Sequence, residues 1–192
     1  YCAGGGGKTL AMAAAKNDKG QVHAYDTDRK RLAPIIERLR RAGTRNVQVH
    51  GDAAQLAPLT EKVDVVLVDA PCTGTGTWRR RPDTKWRLTA KNLEERIAQQ
   101  QEALSQAAPF VKPGGSLVYI TCSVLPEEND RQIDRFCGDN PQFSTGSAME
   151  TWEEIFGSDA PRPHSRDGKA VTLTPASTGT DGFFFARMRK AG

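Results

Sequence analysis

Residues Val63-Asp64-Val65-Val66-Leu67-Val68 form an apolar run interrupted only by Asp64, and it stops at Asp69-Ala70-Pro71-Cys72. A strand with one wet face alternates apolar and polar side chains. A near-continuous run of six instead predicts a parallel strand covered on both faces. Ser116-Leu117-Val118-Tyr119-Ile120 repeats the pattern and stops at Thr121-Cys122-Ser123. A polar helix is expected between them, from about 92 to 110, halted by Pro113-Gly114-Gly115. Short parallel strands can be joined only through a crossover, so the chain reads as an α/β protein.

The rest of the chain fits that frame. Gly4 to Lys8 form a turn, and Thr9 to Lys16 read as a helix of good formers. Gln21 to Tyr25 form a strand ending at Asp26. Residues 29 to 42 carry Leu32, Ile35, Ile36 and Leu39 at helical spacing, with Gly43 as the stop. Asn46 to His50 form a strand ending at Gly51-Asp52. Helix is expected over 126 to 137, with a short helical stretch at Met149 to Phe156. Ala170 to Leu173 and Gly182 to Met188 read as an antiparallel pair at a sheet edge. The expected architecture is a Rossmann-like, doubly wound, mostly parallel sheet with an antiparallel edge strand. Ligands of such sheets sit beyond the carboxyl ends of the strands, where Gly4 to Lys8, Asp26, Asp52, Asp69 to Cys72 and Thr121 to Ser123 all fall.

Composition narrows the class. The 192 residues suit one domain with a real hydrophobic core. No apolar run approaches the roughly 18 residues of a membrane helix, and no secretory segment opens the chain. Four cysteines, at 2, 72, 122 and 137, include no C-x-x-C pair. That argues against a metal site or a disulfide framework and for reduced thiols in a cytoplasm. The net charge of +4 permits a nucleic-acid partner without requiring one. Tyr1-Cys2-Ala3 runs straight into the glycine turn with almost no strand before it, so a fragment cut at its first strand is expected.

Four glycines running into a helix bring backbone N–H groups close to a ligand, at a helix end that favours negative charge. A phosphate-binding loop needs G-x-x-x-x-G-K-[ST], and Cys2 occupies its first glycine position. A dinucleotide fingerprint, G-x-G-x-x-G, fails at Thr9 or Leu10. The looser turn of S-adenosylmethionine enzymes remains. Asp26 is placed to accept from a ribose diol and Asp52 to meet an adenine amino group, which favours an adenosine-containing ligand. Cys72 and Cys122 stand beyond two neighbouring strand ends. A thiolate there can add to carbon 6 of a pyrimidine and make carbon 5 nucleophilic toward a methyl sulfonium. Asp69 is placed to act as an acid at ring nitrogen 3. The stretch Trp78-Arg79-Arg80-Arg81-Pro82-Asp83-Thr84-Lys85-Trp86-Arg87 offers Arg79, Arg80, Arg81, Lys85 and Arg87 to phosphates and its tryptophans to unpaired bases. Glu127, Glu128 and Asn129 read as the start of a helix.

The run Cys2 to Thr9, Asp69-Ala70-Pro71-Cys72, Thr121-Cys122-Ser123-Val124-Leu125-Pro126-Glu127-Glu128-Asn129 and Thr180-Asp181-Gly182-Phe183-Phe184 together resemble the RNA 5-methylcytosine methyltransferases of the nucleolar-protein/Sun group. Within the group the chain is most similar to the bacterial Sun (RsmB) type, which modifies small-subunit ribosomal RNA. The resemblance implies that residues 1–192 are a catalytic methyltransferase domain lacking an N-terminal RNA-binding region. It implies Cys122 as nucleophile and Cys72 as the thiol that assists product release. It also implies an S-adenosylmethionine site at Cys2, Ala3, Gly4, Gly5, Gly6, Gly7, Lys8, Asp26, Asp52 and Asp69. RNA, ribosomal or transfer, is the implied partner; a monomer without metal is expected. The family usually carries Ala-Pro where this chain has Gly4-Gly5. Rival readings are a P-loop nucleotide-binding protein, an inactive RNA-binding module on the same fold, and a DNA cytosine methyltransferase with its nucleophile in the P-C motif.

Overall fold

The computed structural model describes residues 1–17 and 19–192, which divide after Thr60 into two units, each with its own sheet. In the first, Gly6 leads into α1 (Gly7–Ala15), followed by β1 (Val22–Tyr25), α2 (Arg29–Leu32), α3 (Pro34–Arg41) and β2 (Val47–His50). The single helix expected over 29 to 42 is divided at Ala33. Pro34 has no N–H to continue α2, and it starts α3 as its first residue, where none is needed. Asp28 caps α2 by accepting from the N–H groups of Lys30 and Arg31. β1 and β2 run parallel, Val22 opposite Val47 and Tyr25 opposite His50. Leu32, Ile35 and Leu39 pack with Ala24, bordered by Ala3, Leu10, Val47 and Val49. Each such large side chain contributes roughly 1.5–3 kcal/mol on burial.

The second unit holds β3 (Val63–Asp69), α4 (Asp83–Arg87), α5 (Ala90–Ala107), β4 (Val111–Thr121), α6 (Asp130–Asp139), β5 (Phe143–Thr145), α7 (Ala148–Phe156), β6 (Ala170–Leu173), α8 (Pro175–Thr178) and β7 (Phe183–Lys190). β3 and β4 are parallel neighbours. β7 runs antiparallel along β4, and the expected late pair forms, with Ala170 opposite Ala186. β5, unread in the sequence, pairs with the end of β7 at Met188 to Lys190. β7 thus lies inside the sheet, and the short strands β5 and β6 form its rim.

Two local expectations change. Pro113-Gly114-Gly115 does not halt a helix; α5 ends at Ala107, and the glycines form an irregularity inside β4, where the register jumps from Val63–Val111 to Val65–Ser116. Gly114 has φ +70°, which makes that bend cheap. β3 is also not sealed on both faces. Val66 and Val68 are buried, whereas Val65 on the opposite face is 55% exposed. Leu104 of α5, Leu117 and Tyr119 of β4, and Phe184 and Met188 of β7 are all buried, with Tyr119 and Phe184 edge to face. Among the described residues, no helix is long and apolar enough to cross a membrane, and no cluster of three or more metal-ligating side chains occurs.

Candidate active site

The parallel register of β3 and β4 sets Asp69 opposite Ile120, and the Ala70 N–H donates to the Ile120 carbonyl at 2.9 Å. Two strand ends brought level in this way deliver their next residues to one place. Cys72 and Cys122 accordingly meet, Sγ to Sγ, at 3.3 Å, as free thiols. Contact with Cys122 first, and burial second, push the Cys72 thiol well above the ordinary range.

A polar network surrounds the thiols. Thr75 and Ser123 share a hydroxyl hydrogen bond at 3.0 Å. The Thr121 hydroxyl donates to Asn129 Oδ1 at 2.7 Å, and Asn129 Nδ2 donates to the Ser123 carbonyl at 2.9 Å. The Gly76 N–H donates to the Cys122 carbonyl at 2.9 Å. Glu128 and Asn129 do not start a helix, as the sequence suggested. α6 begins at Asp130, and both side chains turn inward and are buried. An acid ahead of a helix looks the same in sequence whether it meets the dipole or a buried hydroxyl, so nothing marked Glu128.

The late Thr180-Asp181-Gly182 motif closes over the loop that leaves Cys72. Asp181 accepts from Arg79 at 3.0 Å and also from Arg80, whose guanidinium, followed by that of Arg79, holds the carboxyl below the usual range. Two of the arginines read as phosphate ligands are therefore anchored within the protein. Arg87 pairs with Asp83 one helical turn away. Arg81 and Lys85 are exposed, with the Lys85 ammonium 5.6 Å from the Trp78 ring centre and 5.5 Å from that of Trp86. The tryptophans divide: Trp78 is half-buried, and Trp86 is 82% exposed.

In the first unit the glycine turn precedes α1. Gly4 and Gly6 take φ +51° and +81°, and Cys2 takes +58°. A Cβ on Gly6 would lie 2.3 Å from the buried Ile35 side chain, whereas one on Gly7 would meet nothing within 4 Å. Asp26 is 2% exposed, and both carboxylate oxygens accept backbone N–H groups, from Gly4 at 2.8 Å and Asp28 at 2.9 Å. The residue read as a ribose ligand thus also ties the glycine turn to the end of β1, a role the sequence did not suggest. Ala3, part-buried, donates its N–H to the Tyr25 carbonyl at 2.9 Å, and Arg38 donates to the Gly5 carbonyl at 2.6 Å. Lys8 is half-buried on α1. Asp52 caps a 3-10 segment through the Ala54 N–H at 2.9 Å, and it lines a cavity of about 370 Å³ with Gly51, Val49 and Arg29.

Residues 1–189 match the family described as 16S rRNA methyltransferase RsmB/F. The chain is 37% identical over 193 residues to a probable ribosomal RNA small subunit methyltransferase B of Synechocystis, covering 99% of this chain and 42% of that protein. It is 36% identical over 196 residues to the corresponding protein of Bacillus subtilis, covering 100% of this chain and 42% of that one. The chain thus spans about two fifths of the length of these relatives. Among solved structures it is similar to NSun6 from Pyrococcus horikoshii with SFG, at TM-score 0.79 and 30% identity, covering 98% of this chain and 46% of that one. A methyltransferase homolog from the same organism gives TM-score 0.73 and 30% identity, covering 96% of this chain and 58% of that one. These likenesses establish the Rossmann-like α/β fold of S-adenosylmethionine-dependent methyltransferases. With nearly every residue matched, the chain belongs to the RsmB/F family of 16S rRNA methyltransferases.

Proposed function

We propose that the chain is the catalytic part of an S-adenosylmethionine-dependent RNA methyltransferase that acts at carbon 5 of a cytosine, in small-subunit ribosomal RNA, through a covalent cysteine adduct. The observation that carries this reading is the 3.3 Å contact between Cys72 and Cys122 at two adjacent strand ends. An ordinary methyl transfer needs no protein thiol; a pair suits a reaction in which one sulfur bonds the base and a second group clears a proton.

The cofactor supplies an electrophilic methyl group on a sulfonium. The first unit fits an adenosine-bearing ligand: open space faces Gly7 at the start of α1, and the Asp52 carboxylate lines a cavity. Residues Cys2 to Lys8, Asp26 and Asp52 would hold it. The SFG in the NSun6 structure, an S-adenosylmethionine analogue, supports the same assignment.

In this mechanism Cys122 is the thiolate. Its sulfur bonds to carbon 6 of the cytosine while Asp69 protonates nitrogen 3, so the ring electrons collect at carbon 5, which takes the methyl group. The proton on carbon 5 must then leave. Before addition, contact with Cys122 is the first cause pushing the Cys72 thiol up. Once the Cys122 sulfur is committed to carbon 6, that cause is removed and Cys72 gives up its proton more readily. With its own proton lost to solvent, Cys72 as thiolate removes the carbon-5 proton, the C–H electrons restore the ring double bond, the carbon–sulfur bond breaks to return Cys122 as thiolate, and nitrogen 3 returns its proton to Asp69. A target base must be turned out of any helix to be reached from both faces.

The test is a pair of substitutions assayed with S-adenosylmethionine and unmodified small-subunit ribosomal RNA. Cys122→Ala is expected to abolish both methyl transfer and the denaturant-stable RNA adduct. Cys72→Ala is expected to accumulate the adduct. An adduct formed through Cys72 in the Cys122 variant would reverse the assignment. Binding of ATP with magnesium in place of S-adenosylhomocysteine would overturn the reading as a whole.

A further inference from the structure

Cys72 lies in a short connection whose neighbours on both sides are held by one buried carboxylate and one buried amide. On one side Gln100 Nε2 donates to the Pro71 carbonyl at 2.9 Å. On the other the Thr73 N–H donates to Glu128 Oε1 at 2.8 Å, and the Thr73 hydroxyl donates to Oε2. Gln100 Nε2 also donates to Glu128 Oε1 at 2.9 Å, which joins the two halves of the bracket. Glu128 and Gln100 are both 0% exposed.

Three uncharged donors hold this carboxylate. Burying a carboxylate costs several kcal/mol, and neutral hydrogen bonds offset that cost only in part. An apolar side chain would fill the space with less penalty, so a purely packing role does not account for the residue. The backbone of Glu128 is fixed from behind as well: the Tyr119 hydroxyl donates to its carbonyl at 2.7 Å. Tyr119 belongs to β4, the strand that delivers Cys122. Glu128 therefore has its main chain tied to the Cys122 side and its side chain tied to the Cys72 side.

We infer that Glu128 is a positioning residue that sets Cys72 against Cys122 by gripping Thr73. The use made of the thiol pair rests on the function proposed above; the placement of the pair does not. Cys72 is pushed up first by Cys122 and by burial, and the charge of Glu128 acts in the same direction.

Glu128→Gln separates geometry from charge. Its remaining oxygen can keep the Thr73 N–H and Gln100 bonds, and its amide can donate to the Thr73 hydroxyl, which is free to rotate. Glu128→Ala removes the grip altogether, and Thr73→Val removes only the hydroxyl's share of it. The readout is the rate at which diamide closes a Cys72–Cys122 disulfide, followed by peptide mass spectrometry. In that reaction the two thiols lose two hydrogens and the diazene becomes the hydrazide. The second readout is the pH profile of Cys72 alkylation. Neither uses RNA or cofactor, so a failure here is distinguishable from failure of the methyl-transfer reading.

Glu128→Ala is expected to slow disulfide closure by about tenfold to a hundredfold, the scale of a displacement near 1 Å. Thr73→Val is expected to slow it by a smaller factor. Glu128→Gln is expected to close at nearly the wild-type rate while its Cys72 alkylation profile moves to lower pH. Closure at the wild-type rate in Glu128→Ala overturns the inference. Should that variant not fold, unchanged closure in Thr73→Val overturns it.

Discussion

Gly76 and Gly182 are in backbone contact: the Gly182 N–H donates to the Gly76 carbonyl at 2.8 Å, and a Cβ on Gly182 would lie 2.5 Å from the Gly76 Cα. A Cβ on Gly76 would come within 2.2 Å of the Gly182 carbonyl oxygen. Gly76 in turn donates to the Cys122 carbonyl at 2.9 Å. The late Asp181-Gly182 pair thus holds the loop after Cys72 from above, by charge at Arg79 and Arg80 and by close approach at Gly76. A methyl group at either glycine must push two main chains apart, because no flexible side-chain end is there to yield.

Gly182→Ala is therefore expected to destabilise the protein by about 1–3 kcal/mol, the usual range for overpacking. Gly138→Ala is the control. That glycine sits inside α6 with nothing within 4 Å of its missing Cβ, so alanine there should stabilise by about 0.5–1 kcal/mol. Urea denaturation of both variants decides; equal effects would show that the glycine contact carries no strain.

The sequence made the frame of this protein readable, because frame and sequence pattern share one cause. Val66, Val68, Leu117 and Tyr119 within the apolar runs are buried, and the motifs that end those runs fall at the edge where ligands of such sheets sit. The thiols were legible for the same reason. The roles of Glu128, Gln100 and Asp181 were not. Each acts through a partner far away in the chain, and polar residues near a helix or in a loop are mostly solvated. The short strand Phe143–Thr145 was hidden too, since three residues carry no period. Asp26 was read as a candidate site residue for its position after β1, yet its bonds to Gly4 and Asp28 depend on a turn geometry that no local pattern encodes.

Within the glycine turn, two positions with the same residue should respond in opposite ways. Gly6 combines φ +81° with a 2.3 Å approach of its missing Cβ to Ile35, so Gly6→Ala is strained in backbone and packing together. A loss of about 2–4 kcal/mol is expected. Gly7 opens α1 into free space, and Gly7→Ala should gain up to about 1 kcal/mol from the reduced entropy of the unfolded chain. Calorimetric S-adenosylhomocysteine binding completes the comparison. A Gly7→Ala variant that is more stable and binds less tightly places the ligand against that helix end; unaltered affinity removes Gly7 from the site.

Acid should weaken the protein through His23 and His50. Their rings stack with centres 5.2 Å apart, and His23 Nδ1 lies 3.0 Å from His50 Nε2. Burial pushes both below the ordinary histidine value of 6.5, and His50 depresses His23 further. A depressed histidine binds protons more readily in the unfolded chain than in the folded one. Its contribution is therefore intact above about pH 6.5 and is lost as the pH falls from there through the folded values. The urea midpoint should decline between pH 7.5 and 5.5, and His50→Gln should flatten that decline. A midpoint that rises on acidification would contradict the direction of both shifts.

Trp86 is the side chain from which an RNA contact is best separated from stability. It is 82% exposed, so Trp86→Ala removes little packing, and a change within about 0.5 kcal/mol in unfolding free energy is expected. Its ring stands beside Lys85, with Arg81 also exposed nearby in the chain, a combination suited to stacking an unpaired base while phosphates are held alongside. If RNA uses that face, Trp86→Ala should weaken binding by about 1–3 kcal/mol, and Trp86→Phe should restore most of it. Arg81→Ala should instead lower affinity evenly across sequences and reduce the slope of log affinity against log salt by about one. Titrations of both variants at two or more salt concentrations separate the roles. Wild-type affinity in Trp86→Ala, with the salt slope of Arg81→Ala unchanged, would move the RNA surface away from residues 78–87.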